Sequence, residues 1–345
     1  MKNRKIYDDV LAQYNKEQHT EIGMEEDLLG PFTPCIDLEE QSITLNPHIE
    51  TMFTLFNMST VNRMDGSNAI HHFLLYHLAM GKNLYSKAEE LLHLLQADLR
   101  SFKATMSDNK LPLTDIFMEC QTIFLLMHEA SHIFYHHHPD ILANNSKAMK
   151  DHLQWLRSEL DTDRPLLVRL MQGLIPGLRG KMEHSFDEAK TDHKLQEELL
   201  CDDAAWRITF NLMQQNVPDK EQKAVLAAYT VYTLYYIEAQ RTLENIYMTD
   251  DNQARQRHLM FDTTRSTVLV NLIWDFIDPA HIGTFKSLVN AISRQDRLFL
   301  MLPLRANADH IACVRLCEKG KYSLKENRRL TKMYNEIIDD LQNLH

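Results

Sequence analysis

Residues 113–138 read LTDIFMECQTIFLLMHEASHIFYHHH, and apolar side chains recur through them at intervals of three and four. This spacing predicts a helix over 114–137, because residues three and four apart lie on one face. Pro139 is expected to end it, since proline disfavours helical geometry in the preceding residue and donates no backbone hydrogen bond. The buried face is predicted to consist of Ile116, Phe117, Cys120, Ile123, Phe124 and Met127.

Late in that helix, His128, Glu129 and His132 form the pattern H-E-x-x-H. Two imidazoles four residues apart can bind one cation, so the pattern predicts a Zn²⁺ site with Glu129 as the general base. A second interpretation stays open, in which both histidines are ordinary, partly buried and hydrogen-bonded to neighbours. A catalytic zinc usually takes three protein ligands and a water, so a third ligand decides between the two.

Two residues are candidates for the third ligand. His138 lies where one class of zinc peptidases has its third histidine, but Tyr135 replaces the glycine that lets the chain turn back. Glu198 belongs to a second predicted helix, KLQEELLCDDAAWRITFNLM, and Asp202 follows it by one turn. There Glu198 would bind the metal and Asp202 would accept the remaining ring N–H of His128. The sequence favours Glu198 and leaves His138 as the alternative.

The remainder of the chain predicts a mainly α fold of the α+β class. Only 9 glycines and 10 prolines interrupt 345 residues, and one segment, CIDLEEQSITLNP at 35–47, alternates in polarity as a small hairpin does. The predicted helices lie near 3–17, 47–57, 67–81, 85–106, 114–137, 146–160, 164–174, 185–215, 219–247, 258–277, 281–293 and 324–343.

Charge and composition exclude several classes of partner. The formal net charge is −11, which argues against nucleic acid or an anionic membrane surface as the main partner. The amino terminus lacks the apolar stretch of a signal peptide and no later segment is long enough to span a membrane, so a cytoplasmic protein is expected. The five scattered cysteines predict no disulfide framework: Cys35, Cys120, Cys201, Cys313 and Cys317.

Several segments together resemble the gluzincin peptidases, above all the Lit-type phage-exclusion peptidases and their minigluzincin and CAAX-endopeptidase relatives. They are the hairpin with its following helix, CIDLEEQSITLNPHIETMFTLF; the H-E-x-S-H helix that ends in His-Pro; and the E-x-x-small-D helix, EELLCDDAAWRI. A further helix, KEQKAVLAAYTVYTLYYIEAQ, leads to a His…Arg element, HLMFDTTR. The chain departs from the family in this last element, which usually reads H-P-x-x-x-x-R, and in the 65 residues between His132 and Glu198.

The resemblance implies a zinc endopeptidase that cleaves an intracellular protein, with phage defence as the context. It assigns His128, His132 and Glu198 to the metal, Glu129 to the base, Asp202 to the support of His128, and His258 and Arg265 to the reacting carbonyl. Two alternatives remain: a catalytically silent zinc-binding regulatory protein, and a zinc amidase acting on a small molecule. The substrate backbone is expected to add as a strand at the hairpin edge near 42–46.

The same resemblance divides the chain into three parts. Residues 1–29 form an N-terminal helical segment, 30–275 a gluzincin-like catalytic domain, and 276–345 a C-terminal helical extension. Within the catalytic domain, 140–190 is predicted to be a helical insertion. Its role stays open between covering the cleft, recognising a substrate and elaborating the surface.

Overall fold

The computed structural model shows a mainly α protein with one small sheet, as the sequence predicts. Five of the other described helices pack against the helix Thr114–His137, which carries the H-E-x-x-H residues. The structure describes residues 1, 3–27, 33–61, 67–105, 114–161, 178–248, 264–291 and 319–342.

Twelve α-helices and one short 3₁₀ helix, Pro279–His281, occur in the described ranges. The first five are α1 (Arg4–Gln18), α2 (Ile49–Val61), α3 (Ser67–Gly81), α4 (Tyr85–Thr105) and α5 (Thr114–His137). They are followed by α6 (Pro139–Asp161), α7 (Leu178–Ala189), α8 (His193–Asn216), α9 (Lys220–Met248), α10 (264–274), α11 (282–291) and α12 (Leu324–Gln342). Most of these ends lie within a few residues of the predicted ones, and α5 has the predicted bounds.

Two predicted helices were wrong in extent. The helix expected to begin at 146 begins at Pro139, because proline is well suited to the first helical position, where no backbone donor is needed. The single helix predicted over 185–215 is two, and Asp192 caps the second by accepting the backbone N–H groups of Lys194 and Leu195. The helix predicted over 164–174 lies outside the described residues.

The sheet has three strands, β1 (Gly23–Glu26), β2 (Cys35–Asp37) and β3 (Ser42–Leu45), in the order β1-β3-β2. β2 and β3 pair antiparallel, which confirms the predicted hairpin. β1 pairs parallel with β3 on the other side. β3 is paired along both edges, so the prediction that a substrate strand adds at 42–46 was wrong. Within the hairpin, the outer edge of β2 is the edge that no described strand occupies.

A large core surrounds α5 and fixes its rotation. α5 packs against α1, α2, α8, α9 and the hairpin strands. Phe124 and Met127 are fully buried, and Phe117, Cys120 and Ile123 are nearly so, which confirms five residues of the predicted inner face; the sixth, Ile116, is partly buried. Residues 124–128 are buried on every side of the helix, so His128 lies inside the protein and not on its surface.

A smaller core lies beside the first and joins α6 and α7 to α8. Leu153, Leu156 and Phe186 are fully buried against Leu199 and Cys201 of α8. The described part of the predicted insertion at 140–190 therefore supports the helix that carries Glu198.

Two further sequence predictions concern membranes and cysteines. No helix among the described residues has both the length and the apolarity that a bilayer crossing requires. Cys35, Cys120 and Cys201 are free thiols, and Cys313 and Cys317 lie outside the described residues.

Candidate metal centre

His128, His132 and Glu198 converge between α5 and α8. The two Nε2 atoms are 3.2 Å apart. Glu198 Oε2 lies 3.4 Å from His128 Nε2, and Glu198 Oε1 lies 3.8 Å from His132 Nε2. One potential ligand atom from each residue falls within 4.8 Å of the others, so the three side chains form a group that can hold a metal ion.

These distances fit one tetrahedral ion. Zinc–nitrogen bonds of roughly 2.0–2.1 Å at tetrahedral angles place two ligating nitrogens about 3.3–3.4 Å apart. The observed separation of the imidazoles is 3.2 Å, so both rings need little movement to share an ion. Two nitrogens and one carboxylate oxygen are also the donor set of one common class of catalytic zinc site.

Each imidazole has a carboxylate at its other nitrogen. His132 Nδ1 is 2.8 Å from Glu197 Oε1, and His128 Nδ1 is 2.9 Å from Asp202 Oδ1. The contact between His132 and Glu197 is a hydrogen bond. The contact between His128 and Asp202 is an ionic contact whose geometry does not meet that of a hydrogen bond. An ionised carboxylate only accepts hydrogen bonds, so it favours a proton on Nδ1 and leaves Nε2 as the metal-facing nitrogen.

Arg265 links the carboxylates around the group. Its side chain is 3% exposed. Nε and Nη2 donate to the two oxygens of Asp202 at 2.9 and 2.7 Å, and Nη1 is 2.8 Å from Glu198 Oε2. Nη2 also lies 3.4 Å from His128 Nε2. The predicted contact between Arg265 and a reacting carbonyl stays a prediction, because these contacts are with the residues that hold and support the metal group.

The charges of the site favour a cation. Burial acts to raise the pKa of Glu198 and of Asp202 and is the largest single effect on each. Arg265 and His128 together outweigh it, with His132 adding to the effect on Glu198, so both pKa values lie below the ordinary range, that of Glu198 well below. Burial also disfavours a charged His128, but Asp202 and Glu198 outweigh it and raise the pKa of His128 to about 9. The carboxylates are therefore ionised at neutral pH and attract positive charge.

Glu129 lies next to the metal group without belonging to it. It follows His128 on α5 and is partly buried. Burial raises the pKa of its carboxyl, and His128 and His132 oppose part of that rise. Within the described part of the chain, no hydrogen bond or ion pair holds its carboxylate. A carboxylate with a raised pKa and no structural partner is suited to accept a proton.

The remaining sequence predictions fall outside this group. His258 lies outside the described residues. His138 follows the last residue of α5, where its ring packs on Phe134 with centroids 4.5 Å apart, and it is not part of the metal group. Sequence reasoning missed Glu197. The adjacent pair Glu197-Glu198 was an available signal, because two neighbouring acids can reach the two nitrogens of one imidazole.

In comparisons with family models, curated proteins and solved structures, the chain matches none.

Proposed function

We propose that the protein is a zinc-dependent endopeptidase that hydrolyses a peptide bond in a protein of the cytoplasm. The observation that carries the proposal is the convergence of His128, His132 and Glu198 beside Glu129, whose carboxylate has no hydrogen bond or ion pair with any residue that the structure describes. A site that only stabilised the fold would not need an acid next to the metal's open position. The resemblance to gluzincins supports the same assignment, and the link to phage defence stays a prediction.

The proposed mechanism gives each residue one task. His128, His132 and Glu198 would hold the ion, and Arg265 and Asp202 keep Glu198 and His128 in position. A bound zinc would act as a Lewis acid that lowers the pKa of a water molecule toward neutrality and polarises the carbonyl group of the substrate. Glu129 takes the proton from the attacking water and passes it to the leaving amine. A second donor to the developing oxyanion is expected from the predicted His258.

The outer edge of β2 is the proposed place for the substrate backbone. β2 packs against α5, and its Cys35 interacts electrostatically with Glu129. A peptide that adds as a strand gains main-chain hydrogen bonds without requiring a particular sequence. N-methylation at successive amides of a cleaved peptide should block cleavage at every second position, because strand amides point alternately to the two sides. Loss of cleavage without this period of two would contradict strand addition.

The function is tested by comparing cells that express the unaltered chain with cells that express Glu129→Gln. New protein termini are expected only with the unaltered chain, while both chains retain zinc. Glu119→Gln is the matched control, because it makes the same change on the same helix where the acid accepts a hydrogen bond from Asn3. Identical termini from the unaltered chain and Glu129→Gln would refute the proposed chemistry. Bound zinc without any new termini would favour the amidase or the silent zinc protein.

A further inference from the structure

We propose that Glu197 is a positioning residue that fixes the ring orientation and the tautomer of His132. This inference rests on the proposed metal site. His132 Nδ1 donates a hydrogen bond to Glu197 Oε1 at 2.8 Å, a length typical of bonds to an ionised acceptor. Because the carboxylate cannot donate, the proton belongs to Nδ1, and the lone pair of Nε2 faces the metal group.

The helix explains how two adjacent acids act on one ring. Successive residues of an α-helix point about 100° apart, so Glu197 and Glu198 leave α8 in different directions. Glu198 Oε1 lies 3.8 Å from His132 Nε2, while Glu197 lies at Nδ1 on the other side of the ring. Glu198 can therefore share an ion with the imidazole that Glu197 orients.

The surroundings of Glu197 separate this role from a role in folding. Asp202, which faces the other imidazole, is 1% exposed and holds Arg265 through both oxygens. The Glu197 side chain is 35% exposed, and among the described residues its hydrogen bond and its ion pair are both with His132. Asp202 therefore contributes to the fold and to the site together. Glu197 is expected to affect the imidazole and to leave the stability of the metal-free protein nearly unchanged.

The experiment compares Glu197→Ala and Glu197→Gln with the unaltered full-length chain. Asp203→Asn is the matched control, because it removes one negative charge from the same helix at a residue that forms an ion pair with Arg207 and not with a histidine of the metal group. Zinc affinity is measured by competition with a chelator. The tautomer of His132 is measured in the metal-free protein from the ¹⁵N shifts of its ring.

The alanine variant is expected to bind zinc about 10- to 100-fold more weakly and to lose the preference for a proton on Nδ1. The glutamine variant should lose less affinity, because its amide oxygen accepts the same hydrogen bond without the charge. Asp203→Asn should match the unaltered chain, and the metal-free melting temperatures of all four proteins should agree closely.

Two negative results are distinguishable. If the unaltered chain binds zinc but Glu197→Ala retains its affinity and its tautomer, Glu197 has no positioning role, and the proposed metal site stands. If the unaltered chain binds no zinc, the proposed function fails and this inference fails with it. Weaker zinc binding by Glu197→Ala supports the inference even in a protein that cleaves no peptide, because the measurement requires no turnover.

Discussion

Replacement of Arg265 by leucine should destabilise the metal-free protein strongly. The substitution removes the guanidinium from two carboxylates, Asp202, which is 1% exposed, and Glu198, which is 13% exposed. Removing one partner from a buried ion pair costs about 3–5 kcal/mol, mostly because the remaining charge stays desolvated. Here one guanidinium serves two acids, so we expect the free energy of unfolding to fall by an amount at the upper end of that range.

The assay is urea denaturation at pH 7.5 with a chelator present, followed by the same titration with zinc. Zinc should restore part of the loss, because a bound cation again faces Glu198. Arg207→Leu is the matched control on α8, where the exposed pair with Asp203 should be worth less than about 1 kcal/mol. If Arg265→Leu costs no more than Arg207→Leu, the buried charges of the site do not depend on Arg265, and the assignment of Arg265 as their counter-ion is wrong.

Three further predictions concern stability and metal binding. Burial lowers the pKa of His48 to about 4 and that of His77 well below its ordinary value. As the pH falls from about 6.5 to 4, these two side chains are therefore protonated in the unfolded chain but stay neutral in the folded chain. Stability should decline over that window, by up to about 3 kcal/mol for His48, and His48→Gln should flatten the dependence in denaturation experiments at several pH values. Gly320→Ala places a Cβ 2.1 Å from the backbone carbonyl oxygen of Asn83 and should cost about 1–3 kcal/mol by calorimetry. Gly283→Ala should not destabilise, because a Cβ there meets no described atom within 4 Å beyond its own stretch of backbone. Glu198→Ala should remove stoichiometric zinc binding in equilibrium dialysis, and full retention of zinc would show that another residue completes the site.

Most helices could be predicted from the sequence because their signal is local. Apolar residues at intervals of three and four specify a helix regardless of what it packs against, and α5 followed this rule from Thr114 to His137. The errors at Pro139 and Asp192 were also local. In both cases the residue begins a helix or caps its first turn, and apolar periodicity carries no information about where one helix ends and the next begins.

The sheet shows what local patterns cannot supply. The hairpin of β2 and β3 was predicted from alternation within one segment, but β1 was not predicted, since its four residues show little alternation. The parallel partners Met24 and Ile43 lie 19 positions apart, and their register depends on the packing of the whole sheet edge. The predicted substrate edge was wrong for this reason.

In the metal group, too, the residues with a local sequence signal were predicted and the contacts that depend on tertiary packing were not. His128, His132 and Glu198 were predicted from spacing and from the need for a third ligand, and the structure brings them together. The contacts of Glu197 and Arg265 depend on how α8 and α10 are rotated about their axes, which side-chain spacing within one helix does not determine.

The smaller core explains how that rotation is fixed. It takes Tyr135 from α5, Leu199 and Cys201 from α8, and Val268 from α10, so each helix that contributes a side chain to the site also contributes to this core. Each of these residues lies within three positions of a site residue on its own helix. Side chains of α6 and α7 also contribute to the same core. Because packed interiors do not deform continuously, the rotations of the three helices are coupled through it. The described helices between His132 and Glu198, α6 and α7, are therefore part of what positions the metal group.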